Sequence, residues 1–272
     1  MPADSPPATL DERRSGQTLE LRISNPARAN ALTDEILDAI TRVCNRPPDG
    51  VRVILLGAAG DRHFSAGVDL AGVDGDALGQ RLRDGESALR RAAVAIDACT
   101  VPVVAVIGGA TVGGALELAA ACDWRIAADS AVFAMPAARL GVVYSPEGLR
   151  RFIDLLGPAR TRQLFLTGAR VDAARAFAIG LVDDVVSPDV LWDDAEAAAA
   201  AILRAAPGAV AGTRAAIDAI MGPMDDQVRA NIGVIRETAY RGAEFREGLR
   251  AFRERREPEW EHAPAHPESP PD

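Results

Sequence analysis

The stretch Ile107-Gly-Gly-Ala-Thr-Val-Gly-Gly-Ala-Leu-Glu-Leu-Ala-Ala-Ala-Cys-Asp123 decides how the middle of this chain folds. An apolar, strand-like run ends in glycines, and a helical pattern with one carboxylate, Glu117, follows them. A helix that begins near Gly113 would point its first free N–H groups out of the strand end, toward negative charge. Glu117 follows Gly114 by three residues and lies on the same helix face. One turn therefore offers both an anion-binding backbone and an acid/base group.

Strand and helix patterns alternate on both sides of this stretch. Thr33 can cap a helix that continues to about Asn45. Strands are predicted at Thr18–Ser24, Val51–Leu56, Val101–Ile107, Trp124–Ala127 and Ala131–Phe133. This order is typical of an α/β fold with a parallel sheet, which binds ligands at the carboxyl ends of its strands.

The composition divides the chain into four parts. Residues 1–15 and 258–272 are rich in proline and charge, and we expect disordered tails there. Residues 16–205 form the α/β core. Residues 206–257 form a mainly helical subdomain with amphipathic helices at Val228–Tyr240 and Ala243–Arg255, of the kind that packs on a neighbouring subunit.

Composition and charge exclude several classes of protein. The 272 residues are 48% hydrophobic and 25% charged, which is ordinary for a soluble enzyme, and the net charge of −9 argues against a nucleic-acid partner. The longest uncharged apolar run, Val101–Leu116, is shorter than the roughly 18 residues of a membrane span. The N-terminus lacks the basic start and apolar segment of a secretory signal, so a cytoplasmic location without a membrane partner is predicted.

Cysteine and histidine usage gives no indication of a metal site. Cys44, Cys99 and Cys122 are odd in number and show no Cys-x-x-Cys spacing, so they are predicted to be buried free thiols. The chain has three histidines, too few to favour a histidine-built metal site. We expect no metal and no redox cofactor.

A second glycine loop, Phe64-Ser-Ala-Gly-Val-Asp-Leu70, follows the strand Val51–Leu56. Taken alone, it is explained by a left-handed turn at Gly67. Together with the first loop, it could direct two backbone N–H groups at one oxygen and so form an oxyanion hole. Each such donor is worth about 3 kcal/mol when it faces a developing oxyanion. A thioester, whose enolate needs this help, is the substrate that fits.

Several ordered motifs resemble the crotonase, or enoyl-CoA hydratase/isomerase, superfamily. The resemblance covers about residues 18–257. It rests on Asn25-Pro-Ala-Arg-Ala-Asn-Ala-Leu32, Phe64–Leu70, Gly113-Gly-Ala-Leu-Glu-Leu-Ala with Cys122-Asp123, Phe133-Ala-Met-Pro with Leu140-Gly141, and Glu247-Gly-Leu-Arg-Ala-Phe252 with Arg255-Arg256. It implies a spiral core of ββα units, a helical C-terminal trimerisation subdomain, and a homotrimer or dimer of trimers. It also implies an acyl-CoA thioester partner, with CoA entering as part of the substrate.

The resemblance also assigns roles to individual residues. It places the oxyanion hole at the N–H groups of Val68 and Gly114, and the first catalytic glutamate at Glu117. It implies an adenine-binding wall at Ala66 and Leu70 and CoA phosphate contacts at Arg28 and Arg62, although each arginine reads equally well as a solvated surface charge. We expect Asp69 to order its loop and His63 to lie at the rim.

The second glutamate of the superfamily's hydratases is missing, because Ala137 occupies its position. Addition of water to a double bond normally uses two carboxylates. Tyr144 lies where the methylmalonyl-CoA decarboxylase branch also has a tyrosine, although that branch has a histidine in place of Val68. Tyr144 could polarise the substrate or only shape the pocket. Glu147 is a possible replacement acid or a helix N-terminal charge.

The leading hypothesis is therefore an acyl-CoA lyase or isomerase with one glutamate, for which isomerisation or decarboxylation is favoured over hydration. A non-catalytic acyl-CoA-binding protein of the same fold is the alternative. A dinucleotide-binding oxidoreductase is a weaker third, since no intact G-x-G-x-x-G opens a helix. The acyl chain depends on the segment 71–91, which is predicted to be a variable, mobile loop and helix.

Overall fold

The computed structural model describes residues 7–70, 75–222 and 225–260, and within the helix that follows residue 74 the side chains of 75–79 and 81–86 are not described. The strands are β1 (Thr9–Ser15), β2 (Thr18–Ser24), β3 (Val53–Ala58), β4 (His63–Ser65), β5 (Val103–Ile107), β6 (Ala110–Val112), β7 (Trp124–Ala128), β8 (Val132–Ala134), β9 (Val171–Asp172) and β10 (Asp184–Val186). The helices are α1 (Asp34–Asn45), α2 (Gly75–Asp97), α3 (Gly114–Ala121), α4 (Pro146–Thr167), α5 (Ala173–Ala178), α6 (Leu191–Arg204), α7 (Pro207–Ile220), α8 (Asp226–Arg241) and α9 (Ala243–Glu254).

The strands form two sheets, and from β3 to β8 successive strands alternate between them. The larger sheet has the order β1-β2-β3-β5-β7-β10, and the smaller has the order β4-β6-β8-β9. A strand of the larger sheet, a strand of the smaller sheet and a helix follow one another three times, as β3-β4-α2, β5-β6-α3 and β7-β8-α4. Because β4, β6 and β8 are parallel neighbours, the loops after β4 and β6 leave the small sheet side by side.

The central strands of the larger sheet are buried on both faces. Val53 and Leu55 of β3 join the cluster that packs against α6, whereas Ile54 and Leu56 join the main core with α1, α2 and α3. A strand buried on both sides reads as a continuous apolar run rather than an alternating one. The sequence of β3 has this character, and burial of each such side chain contributes about 1.5–3 kcal/mol.

The first helix follows its predicted capping signal. Thr33 accepts a hydrogen bond from the Ile36 N–H at 3.4 Å, and α1 ends at Asn45. Ile36, Leu37 and Ile40 are fully buried. The predicted helix is confirmed, and these apolar side chains turn one of its faces toward the core.

The predicted tails are too long at both ends. Thr9–Ser15 form β1, which pairs antiparallel with β2 along its whole length. Its charged side chains lie on an exposed edge strand, where charge prevents pairing with a further strand. The charged composition that predicted a disordered tail therefore belongs to the edge of a sheet. At the other end, the Trp260 indole N–H donates to the Arg204 carbonyl at 3.0 Å. Residues 1–6 and 261–272 of the predicted tails lie outside the described residues.

The helices after residue 205 are joined to the core by Arg214 of α7. Its guanidinium donates to Asp123 Oδ1 at 2.6 Å, to the Cys99 carbonyl at 2.6 Å and to the Ile96 carbonyl at 2.9 Å. Arg214 therefore connects α7 with the end of α2 and with the residue that precedes β7. The boundary predicted at residue 205 falls between α6 and α7.

Candidate active site

Two glycine loops meet where β4 and β6 end. Gly67 has a φ of +96°, and a Cβ there would lie 2.8 Å from the Val112 carbonyl oxygen and 3.5 Å from the Gly114 nitrogen. Gly113 has a φ of +59°. A positive φ favours glycine at both positions, and the close approach of the two backbones leaves no room for a side chain at Gly67. The structure thus brings the two loops together, as the sequence analysis predicted.

The amides of Val68 and Gly114 are left available by their own elements. Leu32 N–H donates to the Gly67 carbonyl at 2.8 Å, and Asp69 N–H donates to the Leu32 carbonyl at 2.9 Å. This parallel bridge between Leu32 and Val68 turns the Val68 N–H away from Leu32. Gly114 is the first residue of α3, so its N–H has no partner within the helix. The two candidate oxyanion donors therefore lie on neighbouring loops.

Apolar side chains flank the Gly114 amide. A Cβ on Gly114 would lie 2.8 Å from Leu89 Cδ2 and 3.2 Å from Val68 Cγ2. Leu89 is buried against the core. Apolar side chains thus lie beside the first residue of α3, and a hydrogen bond to an oxyanion in an apolar environment is stronger than in water.

Glu117 lies in the first turn of α3, one turn beyond the Gly114 amide. Its side chain is 4% exposed. Oε2 accepts a hydrogen bond from the Tyr144 hydroxyl at 2.6 Å, and Oε1 accepts one from Arg151 Nη1 at 3.1 Å. A carboxylate buried to this degree needs such partners to remain charged. The Tyr144 and Arg151 donors thus favour the ionised form of this carboxylate beside the two glycine loops.

Tyr144 is fixed by the segment that leads into α4. Ser145 caps this helix by accepting from the Gly148 N–H at 3.2 Å. The Tyr144 ring packs edge-on against Phe165, with 5.2 Å between the centroids, and a Cβ on Gly148 would lie 2.5 Å from its Cε1. The ring is thus held on both sides while its hydroxyl reaches Glu117.

Arg151 and Asp97 complete this cluster, and the sequence analysis missed both. Arg151 Nη2 donates to Asp97 Oδ2, at the last residue of α2. Burial raises the pKa of the Asp97 carboxyl, and Arg151 opposes that rise. No helical spacing marks Arg151, because Tyr144 lies before the first residue of α4 and the two side chains do not share a helix. Asp97 had no signal either, since its contact depends on how α2 packs against α4.

The two predicted substitutes for the second glutamate have different surroundings. Ala137 is 8% exposed and contributes only a methyl group to the core. Glu147 has a side chain that is 55% exposed, and its carboxylate lies 4.0 Å from Arg90 Nη1. Glu117 makes its contacts with Tyr144 and Arg151 instead. Of Tyr144 and Glu147, the structure brings Tyr144 to Glu117.

The predicted CoA-binding residues lie on the loops around β4. Arg28 donates to Asp69 Oδ2 at 2.7 Å, so this arginine already has a carboxylate partner. Arg62 and Ala66 are exposed, Leu70 is half-buried, and His63 begins β4. Asp69 bonds both Arg28 and the Leu32 carbonyl, which agrees with its predicted role in ordering the loop.

A separate groove of about 770 Å³ lies between the larger sheet and α7. It is lined by residues that include Val104, Trp124, Arg214 and Ile217, and it does not reach Glu117. The groove is thus distinct from the two glycine loops.

The three cysteines, possible metal-binding groups and possible membrane helices can also be compared with the structure. Cys44, Cys99 and Cys122 are buried free thiols, as predicted. Burial is the main cause that raises the pKa of the Cys122 thiol. Within residues 7–70, 75–222 and 225–260, no group of His, Cys, Asp or Glu side chains is arranged to hold a metal ion. None of the helices in this part of the chain has the length and apolar character that a membrane crossing requires.

Known proteins match this chain along most of its length. The sequence profile of enoyl-CoA hydratase/isomerase matches residues 13–263. The Bacillus subtilis protein YngF is 35% identical over 249 residues, covering 87% of this chain and 91% of the relative. A carnitinyl-CoA dehydratase from Salmonella arizonae is 34% identical, covering 91% of this chain and 96% of the relative.

The fold is also shared with solved structures. The crystal structure of an enoyl-CoA hydratase from Bacillus anthracis superposes with a TM-score of 0.85 at 29% identity, covering 94% of this chain and 99% of that protein. Its match spans the ββα core and the C-terminal helices, which confirms the predicted fold class. The chain belongs to the enoyl-CoA hydratase/isomerase family, the crotonase superfamily.

Proposed function

We propose that this protein is an acyl-CoA enzyme that forms a thioester enolate, with one glutamate, Glu117, moving the proton. In this proposal the Val68 and Gly114 N–H groups bind the enolate oxygen, and no second carboxylate takes part. The observation that carries the proposal is the placement of a buried Glu117 one turn beyond Gly114 and beside the loop of Val68. Two backbone donors and one base are sufficient to form an enolate.

The contacts of Glu117 favour double-bond isomerisation as the reaction. Tyr144 and Arg151 both donate to the carboxylate, so Glu117 begins the cycle as an anion able to accept a proton. It would remove an α-proton from a 3-enoyl thioester, and the electron pair would delocalise onto the thioester oxygen. Return of the same proton to the γ-carbon would then give the 2-enoyl thioester. One carboxylate can perform both steps.

Decarboxylation places a different demand on the same groups. When the bond to a departing carboxylate breaks, the electron pair forms the enolate, and the α-carbon then needs a proton from an acid. Tyr144 is the hydroxyl that the structure places at Glu117, so it would have to supply or relay that proton. Hydration is disfavoured because the methyl group of Ala137 can neither orient nor activate a water.

The remaining parts of the proposal concern binding and assembly. We propose an acyl-CoA thioester as the substrate, with Ala66 and Leu70 beside the adenine and Arg28 and Arg62 near the phosphates. In that case Arg28 would either exchange its partner Asp69 for a phosphate or contact both anions. A homotrimer or dimer of trimers is proposed for the assembly, since α7, α8 and α9 contain exposed apolar side chains.

Replacement of Glu117 by Gln tests the central assignment. Turnover should fall by at least about 10²-fold, while binding of the CoA ester, measured by calorimetry, should change little. Glu147→Gln is the matched control, because it makes the same change at an exposed position and is expected to leave turnover unchanged. A fully active Glu117→Gln enzyme would refute the proposal.

A panel of 2-enoyl, 3-enoyl and malonyl-type CoA esters distinguishes the reactions by mass spectrometry. Isomerisation leaves the mass unchanged but alters the absorbance, decarboxylation removes CO₂, and hydration adds one water. The proposal predicts isomerisation of the 3-enoyl esters. Hydration of a 2-enoyl ester as the dominant reaction would contradict the one-glutamate mechanism.

Exchange of the α-proton with deuterated solvent separates an enzyme from a non-catalytic binder. A bound saturated acyl-CoA should exchange its α-protons if Glu117 and the two amides form an enolate. Exchange should be lost in Glu117→Gln. Absence of exchange with every acyl chain, despite binding, would favour the binding protein.

A further inference from the structure

We propose that Arg151, held in place by Asp97, is a positioning residue that fixes both the orientation and the charge of the Glu117 carboxylate. This inference rests on the proposed function, in which Glu117 moves the proton. It concerns a residue pair outside the glycine loops, on two helices that contribute no donor to the oxyanion.

The two oxygens of Glu117 are held by different partners. Tyr144 donates to Oε2 at 2.6 Å, and Arg151 donates to Oε1 at 3.1 Å. Because each oxygen accepts from a different side chain, the orientation of the carboxylate plane is held at both ends. Arg151 is the partner with a formal positive charge, and its side chain is 12% exposed, so solvent screens its attraction for Glu117 weakly.

Arg151 bridges two carboxylates that lie on two helices. Nη1 reaches Glu117 of α3, and Nη2 reaches Asp97 at the end of α2. The planar fork of a guanidinium can contact two acceptors at once in a fixed geometry, whereas a lysine ammonium is a single point charge on a flexible chain. A lysine at this position would therefore preserve the charge but would not hold both partners.

Asp97 is in turn fixed by its place in the fold. The neighbouring carbonyl of Ile96 and that of Cys99 both accept hydrogen bonds from Arg214 of α7. The end of α2 is thus fixed on one side by α7, while Asp97 holds Arg151 on the other. Asp97 also accepts from Nη2 of Arg151, while Nη1 of the same guanidinium donates to Glu117.

The mechanism needs this arrangement because Glu117 must accept and return a proton along a defined direction. A displacement of about 1 Å in a catalytic group can lower a rate by roughly 10²-fold. Without Arg151, the carboxylate would lose the donor that holds Oε1 and the positive charge that this donor carries. We therefore expect a loss in kcat rather than in substrate binding.

Steady-state kinetics of Arg151→Ala test the inference on the full-length protein. We expect kcat to fall about 10²-fold, with KM for the CoA ester within about threefold of the wild type. Arg150→Ala is the matched control, since Arg150 is the residue before Arg151 in α4 and pairs with Asp154 rather than Glu117. Its kcat should stay within about twofold of the wild type.

Chemical rescue distinguishes positioning from a general loss of structure. Guanidinium chloride, far below denaturing concentrations, should restore Arg151→Ala by about tenfold and should not raise the activity of Arg150→Ala or Glu117→Gln. Arg151→Lys should have an intermediate kcat, and Asp97→Asn a smaller loss. If Arg151→Ala does not fold, Arg151→Lys and Asp97→Asn provide the test through the same division between kcat and KM.

The outcomes separate this inference from the function on which it rests. An inactive Glu117→Gln enzyme together with a folded, fully active Arg151→Ala enzyme would overturn the role of Arg151 alone. A loss that neither guanidinium nor lysine repairs would also overturn it, because the defect would then be structural. A fully active Glu117→Gln enzyme would instead remove the proposed function.

Discussion

Individual side chains show how little chemistry the site requires. Glu117 is a buried carboxylate beside the glycine loops, and Tyr144 and Arg151 each hold one of its oxygens. The other proposed catalytic atoms are backbone N–H groups, whose positions depend on neighbouring side-chain volume rather than on side-chain chemistry. The glycine at position 114 is therefore as important as the glutamate.

Gly114→Ala is expected to lower kcat by about 10²–10³-fold, the cost of losing one oxyanion donor. The new Cβ would lie 2.8 Å from Leu89 Cδ2 and 3.2 Å from Val68 Cγ2. These side chains and the first turn of α3 must move apart, and movement of the turn displaces its N–H. Steady-state kinetics with an active CoA ester measure the effect. Wild-type kcat in this variant would argue that the Gly114 amide is not an oxyanion donor.

Two variants control this prediction. Leu89→Val removes the atom that the new Cβ meets, so Gly114→Ala combined with Leu89→Val should regain part of the lost kcat, at a stability cost of about 1 kcal/mol. Gly233→Ala makes the same substitution inside α8, where nothing lies within 4 Å of the new Cβ. That variant should keep full activity and gain roughly 0.5–1 kcal/mol of stability.

Helices and strands were predicted with unequal success, for physical reasons. α1 was predicted well because its cap at Thr33 and its apolar stripe are local in sequence. β1 was missed because a charged edge strand has the composition of a tail. The local signal that was overlooked is the two-residue turn Gly16-Gln17, which joins β1 to β2 as a hairpin. The convergence of the two glycine loops was predictable, since parallel strands end at the same edge.

The last helix, α9, is joined to the chain that follows it through one carboxylate. Glu247 accepts hydrogen bonds from Arg256, from the Glu259 N–H and from Arg250, in decreasing order of effect, and these lower its pKa to about 2. A carboxyl whose pKa is lower in the folded protein stabilises the fold when it is ionised. That stability is present above the ordinary pKa of about 4.5 and is lost as the pH falls toward 2.

Glu247→Gln should therefore be less stable than the wild type at neutral pH, and the difference should shrink as the pH is lowered through 4 toward 3. Urea denaturation at a series of pH values measures this. Glu254→Gln is the matched control, because Glu254 also bonds Arg256 but is half exposed, and its effect should be small at every pH. A difference for Glu247→Gln that does not vary with pH would contradict the assignment.

At the scale of the whole molecule, apolar side chains are exposed on α7, α8 and α9 in the part of the chain that the structure describes. Phe252 is 80% exposed and Val234 is 65% exposed. Large exposed apolar residues grouped on a set of helices are typical of an interaction surface. Together with the family membership, they support the proposed trimer or dimer of trimers.

Sedimentation equilibrium should therefore give three or six times the 28.6 kDa mass of the chain. Phe252→Asp is expected to shift the protein toward monomer, because burial of a charge in an apolar interface is costly. Val94→Asp is the matched control, since Val94 is also an exposed apolar residue, 51% exposed, but lies on α2. A wild-type monomer, or dissociation caused by Val94→Asp alone, would contradict the proposed interface.

The sequence by itself was sufficient to predict the fold class, the family resemblance, the two glycine loops and Glu117 as a candidate residue. Each depends on a local pattern of glycines, apolar runs and one carboxylate. The contacts among Glu117, Tyr144, Arg151 and Asp97 depended on the packing of three helices. Asp97 and Arg151 are separated by 54 positions. Local patterns carry no information on such a contact, because the geometry that creates it exists only after α2, α3 and α4 have packed together.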